Sequence, residues 1–342
     1  MGDRGTVAAI PDFKKGNAMK AVVLTETGFE IGQAPMPKPN DDQVLVRAHA
    51  YALNRADLGV LSGGQHGSVG GPGTIPGMEW AGEVVEVGAR VRGIKPGDRV
   101  MCSGTRGYAQ YVVTDWGRVM PISSASMSYE QATTLPISIL TMHNALITAG
   151  EMRAGETVLI QGASSGVGLM AMQIAKVMGA KTVIGTSSNP SRLAQLKKYG
   201  ADFAIDNSDP TWPALATEAN GGRGVNLIVD QLSGKFGTPN LEACAVLGRV
   251  VNVGRLAGRF AEFDFDLHAA KRIKYTGVTF RTRSIEEVRD IASRAMGDLW
   301  PHIESGKLAL PIDSTYSFDK IADAFAKMRG NQHFGKIVVS MN

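Results

Sequence analysis

From Met19 to about Ile139 short apolar runs alternate with turn-forming residues, and the runs carry the two-residue period of half-buried strands. Lys20–Leu24, Val44–Ala50, Ala81–Val87, Arg99–Met101 and Tyr108–Val113 are the predicted strands. Turns such as Pro37-Lys38-Pro39-Asn40 and Lys95-Pro96-Gly97-Asp98 separate them, which suits a β-rich, partly open barrel. The Gly-rich stretch from Ser62 to Gly77 has no periodicity, and unpatterned loops of that length in compact domains usually serve function. The pattern changes at Glu156. Thr157–Gln161 is an apolar strand, and Gly166–Met178 reads as a helix apolar nearly all round. Lys181–Gly185, Phe203–Ile205, Asn226–Leu232, Arg249–Val253 and Tyr275–Phe280 are further strands, with a helix at Ser191–Tyr199. Apolar strands alternating with helices predict an α/β fold whose parallel sheet is covered on both faces. Helices at Ile285–Glu304 and Phe318–Met328 and a last strand, Lys336–Ser340, complete the pattern. The divisions are an extension at 1–18, a β-rich part at 19–140, a doubly wound domain at 141–283, and a return to the first part at 284–342.

A length of 342 residues exceeds what one hydrophobic core usually serves, in keeping with two domains. The net charge of +4 is mild and no block of like charges appears, so nucleic acid is not an expected partner. Cys102 and Cys244 are too few for a disulfide framework or a four-thiolate zinc site, and fit a reducing compartment. No apolar stretch is long enough to span a membrane. The first 18 residues, with Asp3, Arg4, Asp12, Lys14 and Lys15, lack the apolar run of a signal peptide and read as a polar extension. A cytoplasmic location is expected.

The strand ending at Gln161 runs into Gly162-Ala163-Ser164-Ser165-Gly166-Val167-Gly168, which opens a helix. A tight turn at a strand-to-helix junction, with a helix N-terminus behind it, is the context a dinucleotide pyrophosphate requires. Ala163 and Ser165 replace the first two glycines of the fingerprint, while the hydroxyls of Ser164 and Ser165 offer donors to phosphate oxygens. An NAD site wants a carboxylate about twenty residues on, for the ribose 2′-hydroxyl. Here the segment is Thr186-Ser187-Ser188-Asn189-Pro190-Ser191-Arg192, which has hydroxyls and an arginine instead. That suits the 2′-phosphate of NADP(H). Equally, Asn189 or Ser188 with Pro190 would cap a helix start, leaving Arg192 solvated. Both descriptions are compatible.

With these residues in view the chain resembles the medium-chain dehydrogenases/reductases, and within them the zinc-independent quinone oxidoreductase (zeta-crystallin-like) branch. The resemblance covers all but the first 18 residues. It is carried by Asn54-Arg55-Ala56-Asp57-Leu58, Pro76-Gly77-Met78-Glu79-Trp80-Ala81-Gly82, Lys95–Val100, Gly107-Tyr108-Ala109-Gln110-Tyr111, Leu140-Thr141 with Ala145-Leu146, Gly162–Gly168, Phe280–Ser284 and His333–Val338. It implies a GroES-like catalytic domain interrupted by a Rossmann domain, with the active site between them and a homodimer formed through the edge strand near Tyr275–Phe280. By the same resemblance Thr141 faces the nicotinamide. Ser164, Ser165, Gly166 and Val167 hold the pyrophosphate, and Ser187, Ser188 and Arg192 the 2′-phosphate. Asn207 falls where relatives often place an aromatic or His against the adenine. Val253, Gly254 and Arg255, with Thr279, Phe280 and Arg281, line the nicotinamide, and Asn331 and Lys336 touch the cofactor.

Zinc-dependent relatives use Cys, a Gly-His-Glu motif and a later Cys or Asp. Here the middle motif is Gly77-Met78-Glu79, and the six histidines are scattered, so no metal is expected. A zinc-free site polarises its substrate by hydrogen bonds alone, which favours a quinone or conjugated enone over a simple ketone. Asn54 is the candidate donor; its other reading is a brace at the strand end. Many quinone reductases of this branch carry a Tyr five residues later, where Gly59 stands here, which implies a wider pocket. Trp80 and His66 either line that pocket or serve as a core residue and an exposed one. No general acid is evident, so water is the expected proton source. Three functions are consistent with these features. They are an NADPH-dependent reductase of quinones or α,β-unsaturated carbonyls, an NADP-dependent dehydrogenase or enoyl-thioester reductase with a specific metabolic substrate, and a non-catalytic NADPH-binding protein, crystallin-like or RNA-binding.

Overall fold

A computed structural model describes residues 18–67, 69–122 and 124–341. The predicted polar extension lies outside the described residues up to position 17. β1 (Ala18–Thr25) buries Met19, Ala21, Val22 and Leu24, and β2 (Gly28–Pro35) folds back on it across the turn at Glu26-Thr27. An antiparallel sheet follows, made of β3 (Gln43–Ala52), β4 (Glu79–Val87), β5 (Arg99–Ser103), β6 (Tyr111–Asp115) and β7 (Val119–Pro121), with α1 (Arg55–Leu61) directly after β3. β2 and α1 have no strong periodicity to read; β2 buries only Ala34. The run predicted at Tyr108–Val113 begins its strand at Tyr111. Tyr108 is instead a buried anchor whose carbonyl accepts from the Val22 N–H of β1 at 2.9 Å.

A short helix, α2 (Tyr129–Ala132), precedes α3 (Pro136–His143), which continues into a π-helical turn at Asn144–Ala149. The division expected between residues 140 and 141 falls inside α3. Next come β8 (Thr157–Gln161), α4 (Gly166–Val177), β9 (Thr182–Thr186), α5 (Pro190–Leu193), β10 (Phe203–Ile205), α6 (Trp212–Glu218), β11 (Val225–Asp230), α7 (Gly237–Ala243), β12 (Cys244–Asn252), α8 (Phe265–Lys271) and β13 (Lys274–Gly277). The six strands β8–β13 pair in parallel in the order β10-β9-β8-β11-β12-β13. Chain order reverses between β8 and β11, and in doubly wound sheets the crevice outside that reversal is where ligands bind. The helix predicted at Ser191–Tyr199 is split into α5 and a 3-10 turn at Leu196–Tyr199. β13 stops at Gly277, so Thr279, Phe280 and Arg281 lie on the segment leaving the sheet.

α9 (Ile285–Glu304) turns one apolar stripe, including Val288, Ile291, Ala295, Leu299 and Ile303, into the core, as its helical spacing demands. Its Arg289 makes two bonds to the Asp115 carboxylate, 2.9 and 2.7 Å, and so ties α9 to the end of β6. β14 (Ile312–Ser317), α10 (Ile321–Arg329) and β15 (Lys336–Ser340) end the chain. β15 lies parallel to β14 and antiparallel to β3, pairing Val338 with Ala52. The last strand therefore completes the first sheet, and the nucleotide domain is an insertion within it. No helix among the described residues is long and apolar enough to cross a membrane.

Candidate active site

The Gly-rich turn leaves β8 and enters α4 with little room to spare. A Cβ on Gly168 would meet the Cα of Ala163 at 2.7 Å, which explains a glycine where helix and strand touch. Ser165 is the N-cap of α4: its Oγ accepts from the Gly168 N–H and lies within bonding distance of Gly162 O and Gln231 Oε1. Its hydroxyl is thus committed inside the protein. Ser164 is freer; its Oγ lies 3.2 Å from the Ser187 Oγ, so the turn and the end of β9 present paired hydroxyls. Residues 331–336 cross in front of this turn. Ser165 bridges to Gly335, and a Cβ on Gly166 would meet the Lys336 stem at 2.8 Å. A glycine that only a side chain from another segment crowds, at the mouth of a helix N-terminus, is a fitting cradle for a dinucleotide phosphate.

At the end of β9, Ser187 is buried and Ser188 exposed. Asn189 caps α5, accepting from the Arg192 N–H at 3.2 Å, so the capped helix start is present. The Arg192 side chain is not simply solvated, because its Nη2 donates to the carbonyl of Asn331. Asn207 is buried, its amide donating to Gln161 Oε1 and Thr186 Oγ1, both at 3.1 Å. The network continues through Gln161 to Asn240 and on to Asp230. Burial raises the Asp230 carboxyl, opposed by the N–H groups of Ser233 and Leu232. Of the residues expected at the nicotinamide, Thr141, Val253, Gly254, Thr279 and Phe280 are half-buried, while Arg255 and Arg281 are exposed. Gly254 is forced by packing, since a Cβ there would lie 2.5 Å from the Gln231 carbonyl.

Opposite the turn lies a buried charged cluster. Asn54 Nδ2 donates to Glu79 Oε1 at 2.8 Å and to the Ala52 carbonyl at 3.3 Å, and its Oδ1 accepts from Lys336 Nζ at 3.0 Å. Lys336 also donates to Glu79 Oε1, and Glu79 Oε2 accepts from the Ile137 N–H at 2.9 Å. Lysine is donor-only, which fixes the orientation of the Asn54 amide. Lys336, expected against the cofactor, lays its stem on the Gly-rich turn and its ammonium in this cluster. Asp57 sits beneath: its Oδ2 accepts from the Tyr108 hydroxyl at 2.6 Å and the Asn54 N–H at 2.8 Å. A small cavity touches Asp57, Val60, His66, Gly77, Met78 and Thr105. His66 therefore lines a cavity, its imidazole pushed down by burial and then by Arg281 across the cleft. Trp80 is fully enclosed in the core. Among the described residues no group of three or more His, Cys, Asp or Glu is placed to hold a metal ion. Sequence reasoning does not single out Glu79, Asp57 or Arg55 as functional positions. The signal available for Asp57 is the Asn-x-x-Asp spacing, which returns a carboxylate to a helix start.

Burial pushes the Asp57 carboxyl up to about 6, outweighing the Tyr108 hydroxyl and the Asn54 N–H, which favour the carboxylate. A raised folded pKa means that the fold favours the protonated form. That stabilisation is whole below the ordinary 3.8 and is lost as pH rises through about 6. Asp57→Asn keeps an acceptor and does not titrate. Wild type should therefore lose roughly 2–3 kcal/mol relative to the variant between about pH 4 and pH 7, measured by urea unfolding. A gap that stays constant with pH would show that Asp57 ionises normally.

Residues 40–124 match the family described as alcohol dehydrogenase GroES-like domain, and residues 166–295 the one described as zinc-binding dehydrogenase. The quinone oxidoreductase of Rattus norvegicus is 31% identical over 291 residues, covering 84% of this chain and 86% of its own. A phenolphthiocerol/phthiocerol polyketide synthase of Mycobacterium tuberculosis is 27% identical over 304 residues; the match covers 89% of this chain but only 14% of that far longer protein. Among solved structures, an alcohol dehydrogenase superfamily protein from Novosphingobium aromaticivorans superimposes with a TM-score of 0.85 at 28% identity, covering 95% of this chain and all of its own. The CurK enoyl reductase superimposes with a TM-score of 0.81 at 26% identity, with the same coverage. Two domain families in the order the fold displays, with a relative aligned along most of both chains, make this protein an oxidoreductase of the medium-chain dehydrogenase/reductase superfamily.

Proposed function

We propose that the protein is a zinc-independent, NADPH-dependent reductase of quinones or α,β-unsaturated carbonyl compounds. The observation that carries this reading is the Asn54–Glu79–Lys336 cluster beside Met78. The glutamate of the motif is held by an ammonium and an amide rather than left open to a metal. Bound NADPH would supply the hydride. Asn54 serves the substrate oxygen with the N–H that now rests on Ala52. At 3.3 Å that is the weaker of its two donations, and a neutral carbonyl is readily exchanged for an oxygen gaining charge. Ser187 in place of a carboxylate, with Ser164 and Arg192 nearby, supports NADPH over NADH. The two cysteines, both buried free thiols, suit a cytoplasmic setting. A second reading, enoyl-thioester reduction, is favoured by the likeness to the CurK enoyl reductase.

EDTA-treated protein should oxidise NADPH steadily with a panel of quinones and enones. Turnover only with enoyl thioesters would favour the second reading, activity lost with the metal would refute the zinc-free site, and NADPH binding without any turnover would point to a non-catalytic protein.

Asn54→Ala should lower kcat by roughly tenfold to a few hundredfold, with NADPH affinity and melting temperature near wild type. A rate loss that merely follows a fall in stability would leave Asn54 as a brace.

The reading includes a homodimer built on the free edge of β13. Val246 and Leu247 of β12, Leu256 and Phe260 on the segment after it, and Phe265 of α8 are exposed in the stretch of chain leading to β13, and an unpaired strand edge makes such apolar residues adhesive. Light scattering should give twice the 36.3 kDa of one chain, and Phe260→Glu should shift the protein toward monomer. A wild-type monomer would rule the dimer out.

A further inference from the structure

Asn331, on the loop between α10 and β15, adopts the left-handed conformation, φ 52°, which asparagine tolerates better than most residues. It offers two oxygens. Its carbonyl accepts from Arg192 Nη2 on α5, and its Oδ1 accepts from Arg55 Nη2 on α1 at 2.8 Å. Arg55 Nη1 also donates to the Met328 carbonyl at 3.0 Å. A guanidinium from each domain thus grips one residue, and Arg192 follows on from Ser187 through Asn189, whose N–H donates to the Ser187 hydroxyl at 3.3 Å and whose Oδ1 accepts from the Arg192 N–H. Among the described residues neither arginine takes part in an ion pair, and Asp313, the nearby carboxylate, is engaged by Lys327. The uncompensated charge is felt locally. Burial first, then Arg55 and Arg192, holds the His333 imidazole down to about 4.

We infer that Arg55 and Arg192 form a two-domain clamp for the 2′-phosphate of NADPH, so that a side chain of the catalytic domain reads the cofactor as well as one of the nucleotide domain. This rests on the NADPH reading above. A phosphomonoester carries about −1.5 to −2 charge at neutral pH, matched by two guanidinium groups in a way that one alone does not achieve. The neutral oxygens of Asn331 satisfy donors that a dianion would satisfy better. Binding then exchanges a protein–protein clasp for a protein–phosphate one, and the segment carrying Asn331 is released as the phosphate enters. NADH, without that phosphate, leaves the clasp intact.

Equilibrium titration by fluorescence with NADPH, NADH and adenosine 2′,5′-bisphosphate tests the clamp in wild type, Arg55→Ala, Arg55→Lys, Arg192→Ala and the double variant. Arg55→Ala should weaken NADPH and the bisphosphate by about ten- to a hundredfold while NADH changes less than about twofold. Arg55→Lys should recover only part of that affinity, since a point charge cannot replace the fork. The double variant should lose less than the product of the two single effects, because both arginines serve one phosphate. If Arg192→Ala costs NADPH alone while Arg55→Ala affects both cofactors equally or neither, the clamp is overturned and the NADPH reading stands. A wild type that binds NADH as tightly as NADPH overturns both. Should Arg55→Ala fail to fold, Arg55→Lys decides: an unchanged ratio of NADPH to NADH affinity sinks the clamp, and a severalfold fall upholds it.

Discussion

The ion pair between Glu79 and Lys336 joins three distant parts of the chain in a space that excludes water. Glu79 opens β4, Lys336 opens β15, and the second carboxylate oxygen accepts from the backbone at the start of α3. Neither charge is stable there alone, since leaving one buried partner unpaired typically costs about 3–5 kcal/mol. The pair is tolerable because Asn54 and the Ile137 N–H complete the carboxylate's hydrogen bonds. Everything at the cleft inherits its position from that arrangement. The Asn54 amide can point only one way, the Lys336 stem lies on Gly166, and the loop before β15 is drawn across the Gly-rich turn.

The two sides of the cleft use charge differently. Around Asn54 each formal charge meets a partner, and the one carboxyl left without a cation, Asp57, is driven toward its neutral form. Around Asn331 positive groups accumulate and only neutral oxygens answer them. A compensated interior suits a site that must hold its geometry while charge develops on a substrate. An uncompensated rim suits the capture of an anion from water. The proposed hydride transfer from NADPH would draw on both, and the two adjacent residues Asn54 and Arg55 join them.

Much of this is legible in the sequence wherever burial is nearly complete on both faces. β8 is buried throughout and α4 is polar only at Gln173 and Lys176, and the pattern places their boundaries within a residue or so. Elements with one wet face are harder: β2 buries a single side chain, and α1 has too few turns for its period to emerge. The segment after β9 carries the spacing of one continuous helix, but Leu196–Tyr199 tightens into a 3-10 turn, which apolar spacing alone does not reveal. At the site, residue types alone do not disclose which bonds the side chains make with one another. The Ser165 hydroxyl has the chemistry of a phosphate donor, yet it caps a helix. Lys336 is expected against the cofactor, yet its ammonium answers a glutamate 257 residues away. Pairings of such separation leave no periodic trace, so only the assembled fold discloses them.

The pairing of β3 with β15 also dictates an order of events during synthesis. The inserted nucleotide domain is contiguous and has its sheet complete by Gly277, so it can form while the end of the chain is still being made. The first sheet must wait, because its central strand receives its last neighbour from the final residues, with Asn54 and Lys336 separated by 282 positions. Contacts of such range close slowly. Until they do, β3 is bare along the stretch Ala50–Ala52, beyond its pairing with β6, and Glu79 has no ammonium to face. A chain stalled or clipped shortly before Lys336 would therefore present a finished nucleotide domain attached to an open, sticky half-sheet, which is the form most exposed to chaperones and proteases.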